Sequence, residues 1–151
     1  MTIKEQIEAD LKTAMLGGDK VLTTTLRGLK SAILNAEIAM NKRDSGLSDE
    51  EATAILGKEA KKRQESADMY VQGGSAEKAA AETLEKQVIE KYLPQQMDEE
   101  ALKNLVEATV TETGAATMQD MGKVIGLVKA KAGASADGGR IAQMVKERLA
   151  A

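Results

Sequence analysis

The chain has no cysteine, histidine, phenylalanine or tryptophan, and only one proline and two tyrosines in 151 residues. Each absence removes a class of chemistry. Without cysteine there is no disulfide, no thiolate nucleophile and no thiolate metal site. Without histidine the commonest general base and metal ligand is missing. Any catalysis would rest on Asp, Glu, Lys, Ser, Thr, Tyr or Arg. No apolar run approaches the roughly 20 residues of a membrane span. The opening MTIKEQIEAD reads as neither a signal nor a transit peptide. The expectation is a soluble, cytoplasmic protein with no catalytic site, no metal, no cofactor, and no membrane or DNA partner.

A core without Phe or Trp must be assembled from Leu, Ile, Val, Met and Ala, which suits helices packed at close range. The periodicity agrees, because no segment alternates with period two and helical spacing recurs throughout. Thr2 and Glu5 form a capping box before a first helix with Ile3, Ile7, Leu11 and Met15 inward. Gly17-Gly18 stops it and Asp19 caps a second, whose seam runs Leu22, Leu26, Leu29, Ile33 and Ala36 towards Met40. After the polar loop NKRDSGL, Ser48 and Glu51 form another capping box, and a long third helix runs to about Val71. Gly73-Gly74 breaks the pattern, and a fourth helix starts near Ser75 with Ala81, Leu84, Val88 and Tyr92 inward. Leu93-Pro94 ends it, since proline disfavours helical geometry in the residue before it. Asp98 caps a fifth helix carrying Leu102, Leu105, Val106, Thr109 and Val110. The predicted class is all-α: an N-terminal bundle of four helices over residues 1–94, then a small three-helix C-terminal tail domain over 97–151.

The most specific stretch is MQDMGKVIGLVKAKAGASADGGRIAQMVKERL, residues 118–149. Met121, Val124, Ile125 and Val128 mark one buried helical face. Gly122 and Gly126 lie one turn apart beside it, and each costs about 1 kcal/mol relative to Ala in a helix interior. Two readings account for them: a tight helix crossing within the bundle, or close approach of a sugar-phosphate backbone. Gly133 caps that helix, with Lys129 and Lys131 in its last turn where the dipole favours cations. Asp137 is placed to N-cap the last helix, ahead of Gly138, Gly139 and Arg140, with Ile141, Met144, Val145 and Leu149 inward.

The net charge of −3 hides an asymmetry. Residues 1–114 hold 15 Lys and Arg against 21 Asp and Glu, whereas residues 115–151 hold 6 against 3. A basic tail on an acidic body fits contact between the tail and a polyanion. A second polar constellation lies on the third helix, where Glu59, Lys62, Arg63, Ser66 and Tyr70 form a stripe. Arg27, Lys30, Asn35 and Glu37 of the second helix could join it, as a binding surface or as a weak acid–base site resting on Glu59, Lys62 or Tyr70. The alternative is a solvated face of ion pairs worth tenths of a kcal/mol each.

The pieces LRGLKSAILNAEIA (26–39), KKRQESADMY (61–70), EKYLPQQMDEEAL (90–102) and MGKVIGLVKAKAGASADGGRIAQMVKERL (121–149) resemble the YqeY family. That family is similar to the C-terminal part of the B subunit of glutamine-dependent tRNA amidotransferases (the GatB/YqeY domain). The resemblance covers nearly the whole chain. It implies a helical N-terminal domain joined to a three-helix tail that contacts the body of tRNA in the larger subunit. Carried over residue by residue, it points to Lys123, Gly126, Lys129, Lys131, Gly133, Asp137, Gly138 and Arg140. Lys123, Lys129, Lys131 and Arg140 would meet phosphates, Gly126 and Gly133 would admit the backbone, and Asp137 would hold the turn. One departure is that the amidotransferase pattern has proline after the aspartate, where this chain has Gly138. The subunit's catalytic cradle has no counterpart in these residues.

The leading expectation is a non-catalytic RNA-binding accessory protein, with tRNA or another structured RNA as ligand. Its alternatives are an adaptor for an aminoacyl-tRNA synthetase or amidotransferase component, and a carbon–nitrogen ligase using glutamine as amide donor.

Overall fold

Side-chain caps set where the helices begin. Thr2 accepts from the Glu5 amide while Glu5 accepts from the Thr2 amide, and Ser48 and Glu51 repeat the arrangement. Each box satisfies two backbone donors that a helix start leaves open. In the computed structural model, which describes residues 1–151, the two boxes open α1 (Ile3–Leu16) and α3 (Asp49–Gln72). Asp19 accepts from the Leu22 amide and opens α2 (Lys20–Ala39). Ser75 precedes α4 (Ala76–Glu90) without a side-chain cap. Asp98 caps α5 (Glu99–Thr113), which ends at Gly114 in the left-handed region at φ 69°. Then follow α6 (Met121–Ala132) and α7 (Gly138–Ala150), with single 3₁₀ turns at Met118–Asp120 and Gly133–Ser135. The protein is all-α, and no helix is long and apolar enough to cross a membrane.

The chain divides into two compact units, Met1–Leu93 and Pro94–Ala151. The first is closed by Ile3, Ile7 and Leu11 of α1, Leu26, Leu29 and Ile33 of α2, Leu56 of α3 and Ile89 of α4. Each fully buried large side chain contributes about 1.5–3 kcal/mol relative to exposure. The second is closed by Leu102, Val106 and Val110 of α5, Val124 and Val128 of α6, and Ile141, Val145 and Leu149 of α7. Its leading segment is tied down by bonds from the Met97 amide to the Ser135 carbonyl at 2.7 Å and from Gln96 Nε2 to the Ala134 carbonyl at 2.9 Å.

Four inward assignments from the sequence, in three helices, are corrected. In α1 the buried residue of the last turn is Ala14, and Met15 is exposed. In α2 the seam ends not on Met40, which is exposed, but on Glu37, which is fully buried. In α4 Ala81 and Leu84 face solvent, and the buried residues are Ala79 and Ile89. The reason is that the inner face of α4 is made of small and charged residues over its first three turns, and large apolar ones, Val88 and Ile89, enter only near its end. Ala79 packs in, and Glu85 and Lys86 reach across to α3, where Arg63 Nε lies 3.3 Å from Glu85 and Lys86 Nζ donates to Gln64 at 2.9 Å. Following the bulkiest residue around a helix fails when the contact is built from alanine and ion pairs.

Glu37 is the carboxylate that this unit cannot leave alone. Lys4 Nζ of α1 donates to both its oxygens, at 3.0 and 3.1 Å, tying the start of α1 to the end of α2. Breaking a pair with one fully buried member strands a charge away from water. Lys4→Met should therefore lower stability by about 2–3 kcal/mol, the low end for a broken buried pair because Lys4 is partly hydrated. Lys4→Met combined with Glu37→Met should recover most of that loss. Urea denaturation of the three variants measures both, and a neutral single variant would refute the assignment.

Candidate nucleic-acid interface

The C-terminal helix pair is built around one buried edge and one bare edge. Val124 and Val128 hold α6 in the core, with Met121 and Ile125 packed beside them. The opposite edge carries Gly122, Lys123, Gly126, Lys129 and Ala130, all exposed. A Cβ added at Gly122 or Gly126 would meet nothing within 4 Å. The tight-crossing reading of these glycines is therefore wrong: no backbone lies against them. Ala130, four residues after Gly126, extends the bare strip, and the same i, i+4 spacing would have found it from the sequence.

The start of α6 is fixed by Asp120. Its carboxylate accepts from the Ala116 amide at 3.0 Å and the Thr117 amide at 3.2 Å. These two bonds, with smaller help from the Thr117 hydroxyl and the Lys123 charge, hold its pKa below the usual carboxylate value. The helix ends at Gly133, φ 57°, whose amide bonds the Lys129 carbonyl. Asp137 then caps α7 by accepting from the Gly139 and Arg140 amides at 3.1 and 3.3 Å. A Cβ at Gly138 would lie 3.0 Å from Lys129 Cε and 3.3 Å from Nζ. The Lys129 stem thus crosses the first turn of α7 where the amidotransferase pattern has a proline ring. Glycine at this position leaves the lysine its place.

The proposed phosphate contacts do not stand equally. Lys123 and Lys129 lie on the exposed strip. Lys131 is instead held by Glu112 of α5 at 2.5 Å, with Thr109 Oγ1 at 3.4 Å. The hydrogen bond and charge of Lys131 hold the Glu112 pKa below its ordinary 4.5. The sign follows: the pair contributes stability above that ordinary value and loses it as pH falls through the lower folded-state value. Arg140 donates from Nη1 to the Met97 carbonyl at 3.1 Å, so it braces the leading segment of its own unit. Nor is the unit basic as a whole. Residues 94–151 hold seven Lys and Arg against eight Asp and Glu, because α5 returns the charge that the tail gains. The positive potential is a local strip.

The second constellation resolves into a brace. Arg63 Nη1 meets Glu59 at 2.8 Å and Lys62 meets Glu59 at 3.2 Å. Arg63 also reaches Glu85 and lies 3.9 Å from where a Gly28 Cβ would sit. Lys30 turns to Glu8 of α1 at 3.3 Å, Arg27 to the Met15 sulfur, and Glu37 to Lys4, so none joins the α3 stripe. Asn35 is exposed and Ser66 is half-buried. Tyr70 carries Lys78 over its ring at 5.8 Å.

These features define a class: a small all-helical protein whose α3 polar stripe is engaged in ion pairs and whose C-terminal unit exposes a glycine-bare, lysine-edged helix. The model of the Yqey-like protein family matches residues 4–149, and the chain belongs to that family. It is 36% identical over 103 residues to the "Altered inheritance of mitochondria protein 41, mitochondrial" of Clavispora lusitaniae, covering 66% of this chain and 58% of that protein. The protein of the same name from Eremothecium gossypii is 36% identical over 87 residues, 58% of this chain and 46% of that protein. The chain spans about half the length of these curated relatives. Both are mitochondrial by name, which corrects the expectation of a cytoplasmic protein. That expectation rested on the lack of a membrane-length run and of a leader-like opening, and neither feature discriminates between compartments.

Because nothing packs against Gly126, Gly126→Ala should stabilise the protein by about 0.5–1 kcal/mol, the helix-propensity gain unopposed by a clash. A shift of the urea midpoint to lower denaturant would mean that the glycine is covered after all.

Proposed function

We propose that this protein is a non-catalytic RNA-binding accessory factor that contacts tRNA, or another structured RNA, through the exposed strip of α6. The observation that carries the reading is the open space at Gly122 and Gly126. Two glycines in consecutive turns destabilise a helix by about 1 kcal/mol each, and no intramolecular contact explains them. A sugar-phosphate backbone lying along the strip would explain them, with Lys123 and Lys129 placed to neutralise phosphates. The resemblance of residues 121–149 to the tail of the amidotransferase B subunit supports the same reading.

The second unit contains no aromatic residue. Base stacking, the usual route to single-stranded recognition, is therefore closed to it. Contact through shape, 2′-hydroxyls and phosphates suits a folded, double-helical RNA. The adaptor reading loses ground, because Glu59, Lys62 and Arg63 are engaged with one another and with Glu85.

The test is a salt titration of tRNA binding. Affinity should fall steeply with salt, and Lys123→Glu with Lys129→Glu should weaken binding more than about tenfold while reducing the log–log slope by roughly 1–2. Lys131→Ala should weaken binding less than Lys129→Ala, because Glu112 already neutralises Lys131. Binding of the double variant equal to the parent's would remove the strip from consideration. Gly126→Arg that binds as well as the parent would count against close backbone approach.

A further inference from the structure

The backbone gives Gly138 no reason to be glycine. It opens α7 as a helical residue, whereas the glycines with positive φ are Gly18, Gly46, Gly74, Gly114 and Gly133. Asp137 caps the amides of Gly139 and Arg140, and the Gly138 N–H is one of those that a helix start leaves open. That first helical position is where proline is best accepted, because its missing N–H costs no bond. Asp137 already holds φ −71° and ψ 137°, the extended backbone that a residue before proline adopts. The main chain would therefore take alanine or proline without rearrangement.

What occupies the space is Lys129. A Cβ at Gly138 would lie 3.0 Å from its Cε and 3.3 Å from its Nζ. The lysine rests its methylenes on bare backbone while the residue as a whole stays exposed. We propose that Gly138 is a specificity-determining position: it seats Lys129 in the α6–α7 hairpin, and the seated lysine makes the strip select an ordered RNA backbone over a flexible one. The inference rests on the reading of α6 as the strip that meets RNA. A lysine free to swing follows phosphates wherever they lie and gives up its rotamer freedom on binding. A seated lysine has given up that freedom on folding and holds its charge in one place. A double-helical backbone with fixed phosphate spacing meets that charge as it stands, whereas a flexible strand must first be ordered.

The test compares tRNA with an unstructured oligouridine of equal length, by fluorescence anisotropy at one salt concentration. Gly138→Pro should leave the urea midpoint unchanged or higher. It should weaken tRNA binding about three- to tenfold and change oligouridine binding by less than about twofold, since only the ordered ligand exploits the seat. Lys129→Met keeps nearly the same reach without the charge and should also weaken tRNA binding, after which adding Gly138→Pro should change nothing further. Gly138→Ala should fall between the parent and Gly138→Pro, and it decides the matter should proline lower the urea midpoint. Without RNA, the two Hε protons of Lys129 should be inequivalent by NMR in the parent and merge in Gly138→Pro. Lys129→Met binding as the parent does would remove the strip itself, and this inference with it. If Lys129→Met weakens binding while neither Gly138 variant does, the strip stands and the seat is overturned. The seat is equally overturned if the Hε signals are already merged in the parent. Loss of tRNA and oligouridine binding alike in Gly138→Pro, or a further loss once Lys129 is methionine, overturns it too.

Discussion

A helical protein that has to close two cores without a single phenylalanine or tryptophan must bring its helices close and join them by whatever else can span the gap. That constraint explains more of this molecule than any other feature. The α3–α4 hairpin meets through Ala60, Ala67 and Ala79 with Arg63, Glu59, Glu85 and Lys86 arranged around them. The α1–α2 hairpin ends on a buried carboxylate held by one lysine. Exposed ion pairs add little stability as a rule. A pair that includes a fully buried carboxylate does more, since its loss leaves an unmatched charge in the interior. The polar stripe that reads as a second binding surface is the joinery of a core short of large side chains.

The C-terminal unit follows a different logic. Its three helices are closed by ordinary aliphatic packing from Leu102, Val106, Val124, Val128, Ile141 and Val145. The two glycines of α6 add nothing to that packing and weaken the helix that holds it. Their cost to the helix is not offset by any contact within the unit, since a Cβ at either position would meet nothing within 4 Å. Charge alone would not reveal this surface, because the acids of α5 cancel the lysines of α6 over the unit as a whole. Position along one helix edge separates Lys123 and Lys129 from Lys131, which Glu112 holds. Arg140 stands apart from them for a different reason, its guanidinium bracing the segment before α5.

Both units end their hairpins in ways that leave side chains available. The Gly-Gly turns of the first unit shorten the connections so far that no loop folds back over Leu16, Val21, Met69 and Val71.

By itself the sequence determined the helical class, the positions of the caps and the families of apolar residues, because these depend on local rules. A capping box acts within four residues, and a helical period is read within two turns. The Thr2–Glu5 and Ser48–Glu51 boxes, the Asp19, Asp98 and Asp137 caps and the Leu26–Leu29–Ile33 seam are all of this kind. Only the tertiary structure decided that Leu84 faces water while Ala79 is buried, that Glu37 is paired with Lys4, that Lys131 is taken by Glu112, and that nothing lies against Gly126. Those outcomes depend on which face a neighbouring helix presents and on which carboxylate comes within reach from as far as 33 residues away. Periodicity along one helix carries no record of its partner.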